Sequence, residues 1–427
     1  MINFNTTGNV LKRGISRFCG KLSRKYGKVI TKFISDMFYG MISAGSCKLT
    51  EISRELKEDI EIKKTVERLG RNLANFTDTE TIMDNYMQTV KKHFDKDTML
   101  LVDPSDVVKP CSKEMEAIGT VYDGSEGRFA SGYWTIGVAA LSKHNNQPIP
   151  VYENLYPCKK QGGAGLAAEG AKALDYLREH FDDDCPRVFD KGQDTKWVFA
   201  EVRNTDIKYI IRANQNRLVL HNGEKTYTED VARNIECTYE MKYEDRNGRI
   251  RLCKIGSTQV TIKNEKITTN LVVCRIHNEK PLILYTNLDE TMETFGMRVV
   301  KAYLKRWRIE EMYAFKKQKF NFEDFRVRSL TAMKALDIFL TVIIGYIGIL
   351  SEKIDYDDTV IRLVIASKRV QKYKKYIEST KFYYYAIFDG IHAVLGKLRS
   401  GIRRLTAPPP PRGPYQLCFS DEILGYL

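Results

Sequence analysis

The chain has 427 residues, a formal net charge of +14, 43% hydrophobic residues and 11% aromatic residues. This composition excludes a disordered chain and predicts several folded units, each able to bury a core. The excess of positive charge favours a polyanionic partner, although proteins that bind membrane surfaces or acidic proteins share it.

Cysteine usage and hydropathy indicate the compartment. The nine cysteines are scattered singly, with no C-x-x-C pair and no His-rich neighbourhood that would complete a zinc site. We expect them to be reduced thiols in a cytosolic protein. The longest apolar run, Ile338–Leu350, is too short to span a bilayer, and the N-terminus lacks a signal-peptide pattern. The sequence therefore predicts a cytoplasmic protein without a membrane partner.

Residues 1–90 are basic and helical in pattern. Two short amphipathic segments, Leu49–Leu56 and Ile62–Leu73, are joined by a polar connection. In the second segment apolar residues line one side and cations another. The apolar residues are Ile62, Val66, Leu69 and Leu73, and the cations are Lys64, Arg68 and Arg71. This pattern suits a helix-turn-helix-like DNA-binding domain whose three cations face the duplex. An ordinary helical bundle with a solvated basic face fits it comparably well.

A first candidate acid follows a buried strand. Residues 98–102 form a continuous apolar run that predicts a strand ending at Asp103, and Pro104 makes continuation of that strand unlikely. A carboxylate at the end of a buried strand is costly without a cation, and a bound metal would supply one. The alternative is an Asx-turn or helix-cap role. Asp106 is the weaker candidate because it lies beyond the proline.

A second candidate acid ends another short strand. Strand-like runs at 133–142 and 149–155 are separated by a polar turn, and a glycine-rich stretch at 162–165 reads as a flexible lead into a helix over 166–180. Residues 187–189 then predict a strand that ends at Asp190. A helix through Trp197 and Val202 comes next, and we expect Asp194 to cap it.

The segment from 214 to 280 is rich in Thr, Val, Ile and Tyr. It is punctuated by turn sequences at Asn222-Gly223, Asn247-Gly248 and Asn264–Lys266. Asn-Gly between strand-like runs is a strong hairpin signal, so we expect an antiparallel β insertion that returns through Leu282–Tyr285.

A long helix beginning near Thr291 presents a carboxylate flanked by cations on one face. With about 100° per residue over 301–320, one face holds Tyr303, Arg306, Glu310 and Lys317. The opposite face is apolar, with Leu304, Ile309, Met312 and Phe315. Three cations intrude on the apolar side and are expected to reach out to solvent, namely Lys305, Arg308 and Lys316. A solvated, charge-rich helix is the alternative.

The spacing Tyr303-x2-Arg306-x3-Glu310-x6-Lys317, together with two aspartates at strand ends, resembles a known signature. It is similar to the Y-R-E-K motif of bacterial insertion-sequence transposases of the DDE type, in the insertion-sequence-four-like group. The resemblance implies that Asp103, Asp190 and Glu310 are the catalytic metal ligands. It also implies that Tyr303, Arg306 and Lys317 hold DNA phosphates. Asp190-Lys-Gly resembles the second catalytic motif, although Gln193 stands where that group commonly has an aromatic residue.

The resemblance also implies a fold and an activity. The expected fold is α/β, with an RNase H-like catalytic core over residues 91–213 and 281–350 that is interrupted by the β insertion at 214–280. A helical DNA-binding domain would occupy residues 1–90. Residues 351–427 would form a basic helical region with a proline-rich tail that contains Pro408–Pro411.

The implied protein is a nucleoid-associated prokaryotic homodimer that binds double-stranded DNA, at the terminal inverted repeats and at the target, in a synaptic complex. It would cut and join DNA by cut-and-paste transposition with two Mg²⁺ ions, which Mn²⁺ could replace. Two other classes remain open. A transposase-derived repressor would not need three intact acids, and a hydrolytic nuclease would share the metal site without joining DNA.

Overall fold

The computed structural model describes residues 3–112, 114–244, 249–276, 279–289, 294–370 and 372–402. Helices predominate at the two ends of these residues, and strands predominate between them. The helices are α1 (Phe4–Leu22), α2 (Lys28–Ala44), α3 (Leu49–Leu56), α4 (Ile62–Ala74), α5 (Thr79–Val90), α6 (Leu166–His180), α7 (Lys196–Asn204), α8 (Thr228–Asn234), α9 (Phe295–Leu304), α10 (Trp307–Phe320), α11 (Leu330–Ser351), α12 (Asp358–Ala366), α13 (Tyr373–Ser379) and α14 (Tyr384–Gly396).

The strands of this mixed α/β fold belong to one large sheet. They are β1 (Leu100–Val108), β2 (Gly119–Asp123), β3 (Arg128–Leu141), β4 (Pro148–Tyr156), β5 (Arg187–Phe189), β6 (Tyr209–Arg212), β7 (Leu218–His221), β8 (Glu224–Tyr227), β9 (Tyr239–Glu244), β10 (Ile250–Ile262), β11 (Ile267–Ile276) and β12 (Leu282–Thr286). The main path is β2-β3-β1-β5-β6-β12-β11-β10-β7-β8, with β4 paired to β3 and β9 to β10. In this sheet β1, β5 and β6 run parallel, and the other pairs are antiparallel.

Strand β1 continues through Pro104, so the prediction that the strand ends at Asp103 is wrong. The antiparallel pairing with β3 runs from Leu100 to Val108, but the parallel pairing with β5 stops at Val102. The Leu100 amide donates toward the β5 side, to the Pro186 carbonyl. Because amide directions alternate along a strand, the nitrogen of Pro104 points to the same side, where no ladder partner remains. The missing N–H of proline therefore costs β1 no ladder bond.

The segment predicted to form a β insertion contains strands β7 to β11, which extend the central sheet. Strands β7 and β8 form a hairpin in which Asn222 and Gly223 both have positive φ, as the Asn-Gly turn predicts. The turn at 263–266 joins β10 to β11, whereas Asn247-Gly248 lies outside the described residues. A short helix, α8, interrupts the strands. The insertion rejoins the sheet where β12 pairs with both β11 and β6.

Helix α11 lies between the sheet and the N-terminal helices. It contacts β4 on one side and α2, α4 and α5 on another, and the buried apolar side chains form one continuous core. Ser329 caps the helix by accepting from the Ala332 amide. In the described part of the chain α11 alone is long and apolar enough to cross a membrane, so the apolar segment is longer than the 338–350 run indicated. Of its most apolar window, 83% is buried inside the protein.

The predicted single helix over 301–320 is two helices. Helix α9 ends at Leu304 and α10 begins at Trp307. Between them the amides of Lys305, Arg306, Arg308 and Ile309 each bond to the carbonyl three residues earlier, which tightens the chain into a turn. The predicted start near Thr291 and the proline segment Pro408–Pro411 lie outside the described residues.

Candidate active site

Strand register places the first two acids side by side. Val102 of β1 is the register partner of Phe189 of β5, and these are the last paired residues of that parallel ladder. Asp103 and Asp190 directly follow this pair, so both carboxylates leave the sheet at the same edge. Beyond it β1 has lost its β5 neighbour, which opens a gap beside Asp103.

Helices α9 and α10 deliver the remaining site residues to this edge. The turn between them carries Arg306, and the first turn of α10 carries Glu310. The Tyr313 hydroxyl of α10 donates to the Asp103 carbonyl at 2.8 Å and fixes the helix against β1. Gly137 lies opposite Asp103 in β3, and a Cβ there would stand 2.4 Å from the Tyr313 hydroxyl oxygen. The glycine therefore allows α10 to approach the sheet closely.

All three acids contact one guanidinium. Arg306 places Nη1 4.0 Å from Asp103 Oδ2 and Nε 3.8 Å from Asp190 Oδ1, and its Nη2 donates to Glu310 Oε1. The Arg306 side chain is 7% exposed, while those of Asp103, Asp190 and Glu310 are 17%, 35% and 42% exposed. The three carboxylates therefore converge on one buried cation, with Glu310 closest to solvent.

The electrostatics show that this cluster holds more negative charge than Arg306 neutralises. Burial is the largest of the effects that raise the pKa of Asp103 to about 7; Arg306 opposes it, and the neighbouring Asp190 and Glu310 add to it. Burial would lower the pKa of Arg306, but Tyr303, Asp190, Asp103 and the bond to Glu310 raise it overall. A further cation at this edge would be stabilised.

The three carboxylates are suitable ligands for a divalent metal ion, but their present positions do not form a metal site. No three His, Cys, Asp or Glu side chains within the described ranges are close enough together to hold a metal as they stand. Here the guanidinium of Arg306 lies between the three carboxylates, and its buried Nε has no hydrogen-bond partner. Carboxylate oxygens are the ligands that Mg²⁺ prefers. Asp103, Asp190 and Glu310 could therefore hold a metal if the guanidinium moved aside.

The other two residues of the predicted helix face contact different acids. The Tyr303 hydroxyl donates to Asp190 Oδ1 at 3.1 Å, and burial raises the pKa of Tyr303 to about 12. Lys317 lies in the last turn of α10, where its ammonium pairs with Asp106 at 3.1 Å and with Glu323 at 3.0 Å. Contacts of Tyr303, Arg306 and Lys317 with phosphate stay a prediction.

The three N-terminal cations differ in their exposure to solvent. Lys64 and Arg71 of α4 are exposed, but Arg68 is half-buried and pairs with Asp36 at 3.1 Å and Glu58 at 2.6 Å. Ile62, expected on the packed side, is 48% exposed, whereas Leu69 and Leu73, expected on the same side, are buried together with Thr65. A role of these cations in DNA binding stays a prediction.

Several residues near the site were not expected from the sequence. Arg212 at the end of β6 lies 3.9 Å from Asp190 Oδ1. Lys316 does not reach solvent, because it is buried between Glu153 at 3.1 Å and Asp337 at 2.5 Å. No local signal marks this triad, since its carboxylates come from β4 and α11.

Asp194 does not cap α7, whose N-cap residue is Thr195. It is buried, accepts from the Asn214 amide at 2.6 Å and pairs with Arg217 at 2.5 Å. Of the cations expected to reach solvent on the predicted helix over 301–320, Lys305 and Arg308 instead donate to Asn146 in the turn between β3 and β4.

Part of this chain matches a known protein family. Residues 153–344 match the sequence model of the family described as "Transposase DDE domain". This match supports a DDE transposase. It includes Asp190 and Glu310 and begins after Asp103, so the first acid rests on the geometry alone. No curated protein matches the chain.

Solved structures add little. One that matches is described as a cryo-EM structure of the piggyBac transposase synaptic complex with hairpin DNA. It is 10% identical, the alignment covers 92% of this chain and 82% of that one, and the TM-score is 0.46. A likeness this weak carries no argument about fold or function.

Proposed function

We propose that this protein is a DNA transposase of the insertion-sequence-four-like group, with an RNase H-like core that cuts and joins DNA by a metal-dependent reaction. The observation that carries the proposal is the convergence of Asp103, Asp190 and Glu310 on the Arg306 guanidinium. The acids come from two parallel strands and one helix, far apart in the chain, so their meeting is a property of the fold. The family match over residues 153–344 supports a DDE transposase.

The chemistry follows from the side chains present. Two Mg²⁺ or Mn²⁺ ions, when bound, activate water or a DNA 3′-OH and stabilise the leaving oxygen. Asp103, Asp190 and Glu310 would hold these ions, and Tyr303 orients the Asp190 carboxylate through its hydrogen bond. Arg306 balances the acids in the absence of metal. Released from them, it would lie beside the scissile phosphate, where a guanidinium binds two phosphate oxygens.

The DNA substrate would lie along the basic surfaces. In this proposal residues 1–90 read the terminal inverted repeats, with Lys64 and Arg71 exposed for phosphate contact and Arg68 available only if it leaves its two carboxylates. Residues 91–213 and 281–350 form the catalytic core around the insertion, and 351–427 add a second basic region. A homodimer would hold both transposon ends in a synaptic complex during cut-and-paste transposition. The protein would act at the nucleoid of a prokaryotic cytoplasm.

One assay separates this function from the two alternatives. Purified protein is incubated with labelled candidate end DNA, a target plasmid and Mg²⁺. Joined products identify a transposase, cleavage without joining identifies a hydrolytic nuclease, and binding without cleavage identifies a repressor. The proposal requires joined products that disappear in EDTA and in Glu310→Gln. Joining that persists in Glu310→Gln would refute the assignment of the third acid.

A further inference from the structure

A groove begins one residue from the first acid. Pro104, directly after Asp103, is on the wall of a groove of about 520 Å³ between β3, β4 and the start of α6. Successive residues of a strand face opposite sides of the sheet, so the Pro104 side chain faces away from the Asp103 carboxylate. Its volume suits one or two small aromatic ligands and is far too small for a duplex.

Aromatic side chains dominate the groove wall. Phe129, Trp134 and Tyr156 line it, and the Phe129 side chain is 74% exposed. Tyr122 supports the Phe129 ring edge-to-face, with ring centroids 5.5 Å apart and an interplanar angle of 73°. Exposing a large apolar ring at a hairpin end costs solvation free energy, and this ring is held in place by its neighbour. Such a ring is suited to stacking on another flat ligand.

The rim of the groove is cationic. Lys159 and Lys160 line it, and no Asp or Glu side chain does. Both lysines are exposed, and neither ammonium pairs with a carboxylate of the described residues. Flat aromatic walls beneath unpaired cations form the combination that binds single-stranded nucleic acid, in which bases stack and phosphates meet lysines.

The glycine-rich stretch shapes this rim. It is not a flexible lead: Gly162 and Gly165 both have φ of +85°, and a Cβ on Gly163 would stand 1.9 Å from the Pro157 carbonyl oxygen. A Cβ on Gly165 would stand 2.2 Å from Cε of Lys159. The loop therefore folds back tightly, and the stem of Lys159 lies over Gly165 beside the groove. This accounts for glycines that resemble no phosphate-binding motif.

We propose that this groove binds unpaired bases of a DNA strand that passes the catalytic edge, stacking them on Phe129 and Trp134 with Lys159 and Lys160 on the backbone. The proposal rests on the proposed function for its choice of DNA. A duplex would not enter, because its bases are already stacked on each other. The groove would thus favour DNA whose strands are separated next to the scissile phosphate.

The test measures binding of fluorescein-labelled oligo-dT to the full-length protein in EDTA by anisotropy. Stacking is worth about 1–3 kcal/mol per base, so Phe129→Ala should weaken binding about 5- to 150-fold, and Phe129→Trp should restore it. The matched control is Tyr356→Ala, which removes another exposed aromatic ring, 72% exposed and distant in the chain. Its affinity should be unchanged.

Charge is tested separately. Lys159→Ala with Lys160→Ala should make the slope of log affinity against log salt shallower by about 0.7 for each lost phosphate contact. Lys225→Ala with Lys263→Ala removes the same charge from the insertion and should leave the slope unchanged. If Phe129→Ala binds oligo-dT as tightly as Tyr356→Ala does, the groove does not hold bases and a peptide or other ligand must be sought.

Failure of this inference is distinguishable from failure of the proposed function. Joined DNA products together with an unaffected Phe129→Ala variant overturn the groove alone. Phe129-dependent oligo-dT binding without any metal-dependent cleavage supports the groove and overturns the transposase.

Discussion

Removal of the Arg306 guanidinium should destabilise the metal-free protein and improve its response to metal. The side chain is 7% exposed and contacts three carboxylates, so Arg306→Ala leaves those acids without their cation. Breaking a buried ion pair by removing one partner costs about 3–5 kcal/mol. We expect the lower end, about 3 kcal/mol, because Asp190 and Glu310 are partly exposed and solvent screens them.

The assay is thermal unfolding in EDTA followed by titration with MgCl₂. Arg306→Ala should melt several degrees below the unaltered protein in EDTA. Metal should recover more stability in the variant than it adds to the unaltered protein, because no guanidinium competes for the carboxylates. Metal at about 100 times its Kd adds about 2.7 kcal/mol. Adding Asp103→Asn to Arg306→Ala should relieve the repulsion and raise the melting temperature in EDTA.

The matched control is Arg212→Ala. Among the carboxylates of the described residues its guanidinium pairs with Asp190 alone, at 3.9 Å, and the side chain is 46% exposed, so its removal should cost about 0–1 kcal/mol. The reasoning fails if Arg306→Ala has the same melting temperature as the unaltered protein in EDTA. It also fails if Mg²⁺ raises the melting temperature of Arg306→Ala by no more than it raises that of Arg212→Ala.

Three further changes have defined outcomes. Burial raises the pKa of Glu153 to about 7 despite Lys316, whereas the unfolded state releases this proton near pH 4.5. Because the folded state holds the proton more tightly, the free energy of unfolding should fall by up to about 3 kcal/mol as pH rises between these values. Glu153→Gln should remove that part of the pH dependence of the melting temperature. Gly137→Ala should cost about 1–3 kcal/mol in thermal unfolding, since its Cβ would stand 2.4 Å from the Tyr313 hydroxyl oxygen. Lys317→Ala should reduce the salt slope of end-DNA binding by about one unit, and an unchanged slope would exclude a phosphate contact.

The positions of Asp103 and Asp190 after buried runs could be predicted, because apolar residues followed by a carboxylate mark where a strand leaves the core. Their adjacency depends on the Val102–Phe189 register, which no local pattern specifies. Pro104 was misread because its effect depends on which edge of β1 lacks a neighbour, and that is decided by where β5 ends.

Helix periodicity placed Arg306 and Glu310 on one face but missed the turn between α9 and α10. No Gly or Pro marks that turn, so tertiary contacts determine it. Lys316 was expected in solvent because its partners Glu153 and Asp337 are distant in sequence. The sequence does not predict strand β2, because this segment lacks an apolar run and its strand is defined by its pairing with β3.

The central claim is that Asp103, Asp190 and Glu310 bind the same divalent metal ions. Electron paramagnetic resonance of a Mn²⁺ titration, performed on the protein with bound end DNA, measures this directly. We predict that Asp103→Asn, Asp190→Asn and Glu310→Gln each weaken Mn²⁺ binding, while each variant keeps the circular dichroism spectrum and the DNA affinity of the unaltered protein. Asp106→Asn, on the same strand but paired with Lys317, should bind Mn²⁺ as the unaltered protein does. Unchanged Mn²⁺ binding in any of the first three variants would contradict the account.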